Sequence, residues 1–285
     1  MNFTIIPKCN LRLEIVIIKS VAYFIFRYIF RRQYLIAFCP GYKCHFKFKI
    51  EDVVGRSIFK TGKYEEGLTS LLCNLCRFDN DDIVIDVGAN IGWYSIILST
   101  LMSKSCKTYA FEPDPLNFEL LTHNCKLNNM RNIECINAAV GENIGTATLH
   151  LYPSKNRGRH SLIALQGNSE RLDVKMMSLD SFFEENHINL ARIKFLKIDI
   201  EGFEYAALLG AKKILKMIPM VLMEFSPEYM KKGGFEPNRL LDFMHDAGLK
   251  ANCIQTGKMV EIPLHEIANS SEQRNILWTR SSNAP

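Results

Sequence analysis

Carboxylates and amides stand in this chain where runs of aliphatic residues end: Asp86 followed by Asn90, then Glu112, Asn137, Asp199 with Glu201, and Glu224. A carboxylate can face an ammonium group, accept hydrogen bonds from two vicinal hydroxyls, or take the proton of an alcohol. The first of these acids lies in Asp86-Val87-Gly88-Ala89-Asn90-Ile91-Gly92-Trp93-Tyr94-Ser95, and Val84, Ile85 and Val87 frame it as in a buried parallel strand. Gly88 and Gly92 leave room for a ligand against the backbone where that strand would turn into a helix. Glu112 closes the next apolar run, Tyr109-Ala110-Phe111. Together these residues suit a nucleotide-like cofactor that carries a ribose and a positive charge.

The glycine spacing narrows the choice. A dinucleotide fingerprint needs Gly-x-Gly-x-x-Gly, because its glycines admit a pyrophosphate to a helix N-terminus. Counted from Gly88, the second and third glycine positions hold Asn90 and Trp93, and an indole is too bulky for the last of them. No lysine followed by serine or threonine closes the turn as a phosphate loop would. The turn instead offers Asp86 to an ammonium group and backbone N–H groups to a carboxylate, while Glu112 can accept from ribose hydroxyls. S-adenosylmethionine fits this set better than NAD. Asn137, at the end of the next strand, would stand beside an adenine ring.

Ligands of open α/β sheets collect outside the carboxyl ends of the strands, so a parallel sheet is needed to gather these residues. Ile83–Val87 reads as the first core strand, Phe195–Asp199 as the fourth and Met220–Glu224 as the fifth, with helices between. A helix is expected over Glu204–Lys216, and Pro237–Ala247 is a second, closed by Gly248. Strands near Leu249–Thr256 and Asn275–Thr279 should finish the sheet antiparallel to one another. Between Gly141 and Ile193 the rhythm changes: Thr146–Tyr152 alternates like an antiparallel strand, Pro153–Gly167 is polar and basic, and Leu172–Met176 is a further strand.

The chain resembles the FkbM family of S-adenosylmethionine-dependent methyltransferases. The likeness is carried in order by Asp86-Val87-Gly88-Ala89-Asn90-Ile91-Gly92 with Tyr94-Ser95, Ala110-Phe111-Glu112-Pro113, Asn137-Ala138-Ala139-Val140-Gly141, Leu179-Asp180, Lys197-Ile198-Asp199-Ile200-Glu201-Gly202-Phe203-Glu204 and Glu224-Phe225, within about residues 60–245. It implies a Rossmann-like class I methyltransferase fold, α/β, with a mostly parallel seven-stranded sheet, helices on both faces and an antiparallel C-terminal strand. It implies S-adenosyl-L-methionine as cofactor, held by Asp86, Gly88, Asn90, Gly92, Glu112, Asn137, Ala138 and Asp199, with Ala138 near the adenine and Asp199 and Glu201 near the transferred methyl. Family members typically methylate hydroxyls of sugars or of polyketide-type products, and their acceptors differ widely.

Methyl transfer from a sulfonium needs in-line alignment of nucleophile, methyl carbon and leaving sulfur, and an alcohol must also lose its proton. His160 is a candidate base because imidazole titrates near neutral pH. Asp199 and Glu224 are the others. His160 lies in Ser154-Lys155-Asn156-Arg157-Gly158-Arg159-His160-Ser161-Leu162, where Arg157 and Arg159 could hold an acidic acceptor. Neither Gly-x-Ser-x-Gly nor His-Glu-x-x-His occurs, and the dispersed acids show no recognised metal signature, so the expectation is a metal-independent enzyme. The acceptor is expected to be a small molecule, saccharide or lipid-linked compound methylated on oxygen. N- or carboxyl-methylation stays open, as does a noncatalytic membrane-associated or assembly module that keeps the donor pocket.

The net charge of +5 is unevenly placed, with twelve Lys or Arg against three acids in residues 1–63 and an excess of acids beyond. A nucleic-acid enzyme would carry its positive field beside the cofactor cleft, so nucleic acid is disfavoured as partner. Nine cysteines, mostly in apolar surroundings, suit buried thiols in a reducing, cytoplasmic setting, with peripheral placement at the cytoplasmic face of a membrane left open. Three regions are expected: an apolar, basic helical leader over 1–40, a hairpin and lead-in helix over 41–78, and the methyltransferase domain over 79–285 with an insert near 142–192. The leader is broken by Glu14, Lys19, Arg27, Arg31 and Arg32, too often for a spanning helix or a signal peptide. Its segment 11–38 should pack on the domain, on a second subunit, or in a membrane interface.

Overall fold

A computed structural model describes residues 8–152, 160–165, 169–255 and 258–280. The chain opens with helix α1 (Lys8–Phe24), which runs into a π-helical turn at Ile25–Ile29 and then a hairpin of β1 (Tyr34–Cys39) and β2 (Cys44–Lys49). The hairpin is expected within residues 41–78, yet the alternating Cys44, Phe46 and Phe48 pair backward, with residues before 41. Their partner strand comes from the segment assigned to the leader, where Ala37 and Cys39 are buried and Tyr34, Ile36 and Phe38 are exposed. Apolarity alone does not separate such a strand from a helix. Residues beyond the hairpin form α2 (Val53–Thr61), because Asp52 caps it by accepting from Gly55 N at 2.6 Å and Gly62, at φ +73°, ends it.

Helix α3 (Glu66–Leu75) leads to the strand–helix alternation proper: β3 (Ile83–Val87), α4 (Trp93–Ser99), β4 (Lys107–Phe111), α5 (Pro115–Leu127) and β5 (Ile133–Ile136). Next, β6 (Ala139–Val140), β7 (Gly145–Leu151) and β8 (Glu170–Met177) build a separate three-stranded sheet in the order β6-β8-β7. Strands β7 and β8 pair antiparallel, as the alternation of Thr146–Tyr152 requires, and the sheet overlaps the insert expected near 142–192. The main sheet resumes through α6 (Leu179–Glu185), β9 (Ile193–Ile198), α7 (Glu204–Leu209), α8 (Lys212–Leu215) and β10 (Met220–Phe225). It finishes with α9 (Pro227–Lys232), α10 (Pro237–Asp246), β11 (Leu249–Gln255), β12 (Lys258–Glu261), α11 (Leu264–Ala268) and β13 (Arg274–Arg280).

The main sheet runs β12-β11-β13-β10-β9-β3-β4-β5. Strands β10, β9, β3, β4 and β5 are mutually parallel, while β13 lies antiparallel between β10 and β11. The expected seven strands are present, and an eighth, the exposed β12, pairs with β11 alone. Strand β3 is buried throughout, with Ile83, Ile85 and Val87 in one apolar core and Val84 in the other, which is why it reads as an almost unbroken aliphatic run. The expected single helix over Glu204–Lys216 is instead broken at Gly210. A Cβ there would lie 2.2 Å from the Gly141 carbonyl oxygen, so the helix gives way to the start of the insert.

Candidate active site

The parallel order puts the carboxyl ends of β3, β4, β9 and β10 around one cavity of about 200 Å³. At its β3–β4 end, Gly88 takes φ +76°, and a Cβ there would stand 2.0 Å from the Asp199 carbonyl oxygen. Only glycine lets the exits of β3 and β9 touch. Gly88 N and Ala89 N both donate to Phe111 O at 3.0 Å, and Asn90 N donates to Glu112 Oε2 at 2.7 Å. Glu112 Oε1 accepts from Asp114 N at 3.0 Å. Burial raises Glu112 to about 8, with Asp114 and Asp86 adding to the rise against the pull of the two backbone donors. Gly92, at φ +92°, starts α4 where a side chain would meet Leu121.

The other expected cofactor residues fall in different shells around this turn. Asp86 is buried behind the cavity lining, accepting from Ser95 Oγ at 2.6 Å and lying 3.7 Å from Lys197 Nζ. Asn137 is exposed and clamps the strand-end bend, donating to the carbonyls of Glu112 at 2.8 Å and Pro113 at 3.2 Å. Ala138 is buried in a narrow recess with Val87, Phe111, Pro113 and Leu149, and Gly88, His160 and Ile200 line both this recess and the cavity. Among the described residues, Asn90 Oδ1 is buried without a hydrogen-bond partner.

At the β9–β10 end, Asp199, Glu201 and Glu224 each offer an oxygen within 4.8 Å of the others. Lys197 Nζ lies 3.3 Å from Asp199 Oδ2 and 5.2 Å from the centre of the Tyr94 ring. Burial by itself would lower this lysine, yet Asp199, Asp86 and Glu65 hold it above the usual range. Glu224 is raised to about 8, first by burial and then by Asp199 and Glu201, and it accepts from Ser226 Oγ at 3.2 Å. Glu201 adopts φ +55° as the chain leaves the strand, and its carbonyl accepts from Ser161 Oγ at 2.9 Å, which ties the insert to the site. Glu204 sits beneath, taking Ile200 N and Gly202 N at 3.1 Å each.

His160 joins the cavity from the insert, beside the Glu112 end. Its Nε2 is 3.3 Å from Asp114 Oδ2, and its Nδ1 accepts from Tyr152 N at 3.2 Å, so both ring nitrogens face protein groups. Arg157 and Arg159 lie outside the described residues. Among the lining residues to which sequence reading gave no role in the site are Tyr64, Glu65 and Tyr94, the last donating to Glu65 Oε2 at 2.5 Å. Tyr94 follows the glycine turn directly and could have been weighed there. Glu65 had no local signal beyond its charge.

The arrangement fits S-adenosylmethionine. The Glu112 carboxylate oxygens keep lone pairs after their backbone bonds, Asn90 Oδ1 wants a donor, and the Ala138 recess is apolar.

The profile of the Methyltransferase FkbM domain matches residues 86–250. The chain is 25% identical over 218 residues to the hexuronic acid methyltransferase AglP of Haloferax volcanii, covering 76% of this chain and 82% of that one. It is 24% identical over 174 residues to methyltransferase sdnD of Sordaria araneosa, covering 52% of this chain and 67% of that one. A solved methyltransferase FkbM from Methylobacillus flagellatus KT aligns with TM-score 0.46 and 18% identity over 79% of this chain, which spans about half of that protein, 52%. Since the matched domain runs from the end of β3 to the start of β11 and so includes the strand ends that carry the cavity, the chain belongs to the FkbM family, and it is an S-adenosylmethionine-dependent methyltransferase.

Proposed function

We propose that the enzyme methylates a hydroxyl group of a saccharide or lipid-linked saccharide. The observation that carries this reading is the Asp199, Glu201 and Glu224 cluster, with Glu224 raised to about 8. When bound, S-adenosylmethionine supplies a methyl carbon made electrophilic by its sulfonium. The chain's task is then to hold the donor, exclude water and take one proton. Glu112 and Asn90 hold the ribose side, and Asp86, through Lys197, sets the charge beneath the methionine side. Asp199 stays paired with Lys197, so Glu224 is the carboxylate best suited to accept the proton of the attacking hydroxyl. A neutral hydroxyl can donate into three carboxylates, whereas an acceptor carboxylate would meet like charge there. The similarity to a hexuronic acid methyltransferase supports a saccharide acceptor and bears equally on its hydroxyl and its carboxyl groups.

Lys197, held charged 3.3 Å from Asp199, places a positive charge beside this cluster, which favours turnover without a metal. Burial of Cys39, Cys44, Cys76, Cys106 and Cys125 within the protein supports a reducing, cytoplasmic location. The test is to incubate the enzyme with cell extract and methyl-labelled donor, with and without EDTA, then treat the product with mild base. Label that survives base and chelation is expected. Base-labile label would replace this reading with carboxyl methylation, and a loss of turnover in EDTA restored by magnesium would make the acid cluster a metal site.

A further inference from the structure

We propose that α1, the π-helical turn and the outer face of the hairpin form a docking surface for an anionic lipid bilayer. Helix α1 is amphipathic in the reverse sense for a helix lying on a domain. Leu13, Ile15, Ile17, Ile18, Val21 and Phe24 are 45–67% exposed. The side turned to the protein carries Val16, Lys19, Ser20 and Ala22, half-buried, and Tyr23, whose hydroxyl donates to the Ile50 carbonyl and whose ring lies 6.2 Å from that of Phe59. The helix is therefore held by a side of mostly small, polar and tyrosine residues, and most of its large aliphatic side chains are left outward, together with exposed Glu14.

The apolar surface continues along the chain. Tyr28, Ile29 and Phe30 are exposed in and after the π-helical turn, and Tyr34, Ile36 and Phe38 are exposed on β1. Across the hairpin these last three pair with Lys49, Lys47 and His45. Exposed Arg31 and Arg32 stand between the two apolar runs. An apolar surface this long in a protein marks something that covers it.

Charge selects the occupant. Residues 1–63 hold twelve Lys or Arg against three acids, so a second copy apposed through this face would bring cations against cations. A bilayer with anionic headgroups meets both needs, since it takes the apolar side chains into the acyl boundary and the arginines and lysines at the phosphates. Among the described residues no helix is long and apolar enough to cross a membrane, so the contact is one of surface binding. A cleft of about 680 Å³ lies between α1 and the domain, lined by Lys19, Lys60, Lys63 and Tyr42, and Tyr64 and Trp93 line both this cleft and the donor cavity. Docking by α1 would bring that cleft to the lipid surface. The inference does not depend on which acceptor is methylated.

The test is sedimentation of the full chain with vesicles of phosphatidylcholine, alone or with phosphatidylglycerol, at low and high salt. The proteins are the parent, Ile17→Glu with Phe24→Glu, and Arg31→Glu with Arg32→Glu. These positions are exposed or half-buried at the surface, and donor affinity by calorimetry checks that each variant folds. The parent should bind the anionic vesicles and release with salt, and each double variant should lose about tenfold or more of the bound fraction with donor affinity unchanged. Equal binding by parent and variants, or none by the parent, overturns the proposal. So does a parent dimer that Ile17→Glu with Phe24→Glu converts to monomer without a change in vesicle binding, which would assign the face to a second copy.

Discussion

At one end of the cavity Glu112 is gripped by the backbone amides of Asn90 and Asp114; at the other, Glu224 has Ser226 for a partner and two more carboxylates close by. Both acids are raised to about 8, and burial is the first cause in each. At the proposed donor end the carboxylate is locked to main chain, and glycines at positive φ shape the turn around it. At the proposed acceptor end position is set by charge among side chains, and the insert is tied to it through Ser161. A site built on main chain has little freedom to vary with the acceptor, whereas a site built on side chains has much. This physical asymmetry suits an enzyme family with one donor and many acceptors.

The comparison is broken most directly at the acceptor end. Glu224→Gln should lower kcat about 10²–10⁴-fold while donor affinity measured by calorimetry stays within a few-fold, since it removes the base and leaves the donor turn intact. A base must be ionised to act, so kcat/KM of the parent should rise with pH and level off above about 8, with the kcat midpoint lower because the bound donor is cationic. The kcat profile of Glu224→Gln should be flat, since Glu112 acts on donor binding and not on the bound complex. A variant that keeps the parent's rise would move the proton to another group.

Glu112→Ala probes the proposed donor end and should weaken donor binding about 10–100-fold, from the loss of its hydrogen bonds to the ribose and the release of Asn90 N and Asp114 N. Near-normal affinity in a folded protein would remove Glu112 from the ribose. His160→Gln sharpens the boundary between the two ends. Because both ring nitrogens already face Asp114 and Tyr152, the change should alter donor affinity by about three- to tenfold and leave the shape of the kcat profile alone. Loss of the alkaline rise in that variant would restore His160 as the base.

The smallest effect should come from Glu204, fully buried and raised to about 8 by burial and then by Glu224. Its folded value exceeds the unfolded one, so its contribution to stability is complete below about 4.5 and is lost as pH rises through about 8. Glu204→Gln keeps an acceptor for Ile200 N and Gly202 N and should raise Tm by a few degrees at pH 8.5 with little change at pH 5. A lower Tm at both would show that the carboxylate itself is needed.

Much of the core was legible before any coordinate. Strand β3 announces itself because both of its faces are buried, and the turn after it because Gly88 and Gly92 take conformations that other residues resist. The misreadings share one cause, a distant contact. Strand β1 depends on pairing with β2, and the break at Gly210 depends on the carbonyl of Gly141, far along the chain. Asp86 was expected to face the ligand, and it lies one layer back because Ser95 and Lys197 reach it first.

The amino-acid order alone was enough to indicate an α/β fold, a preference for S-adenosylmethionine over NAD and the strand ends that bear acids, since these rest on periodicity and on short motifs, and the family resemblance supplied the rest. Tertiary structure alone decided which of those acids meet. Asp199 and Glu224 leave neighbouring parallel strands, and their proximity comes from the order β10-β9-β3. It also decided that α1 shows its aliphatic side outward, because one tyrosine anchors the opposite side. Periodicity records that a helix has two faces, and only packing chooses which of them is covered.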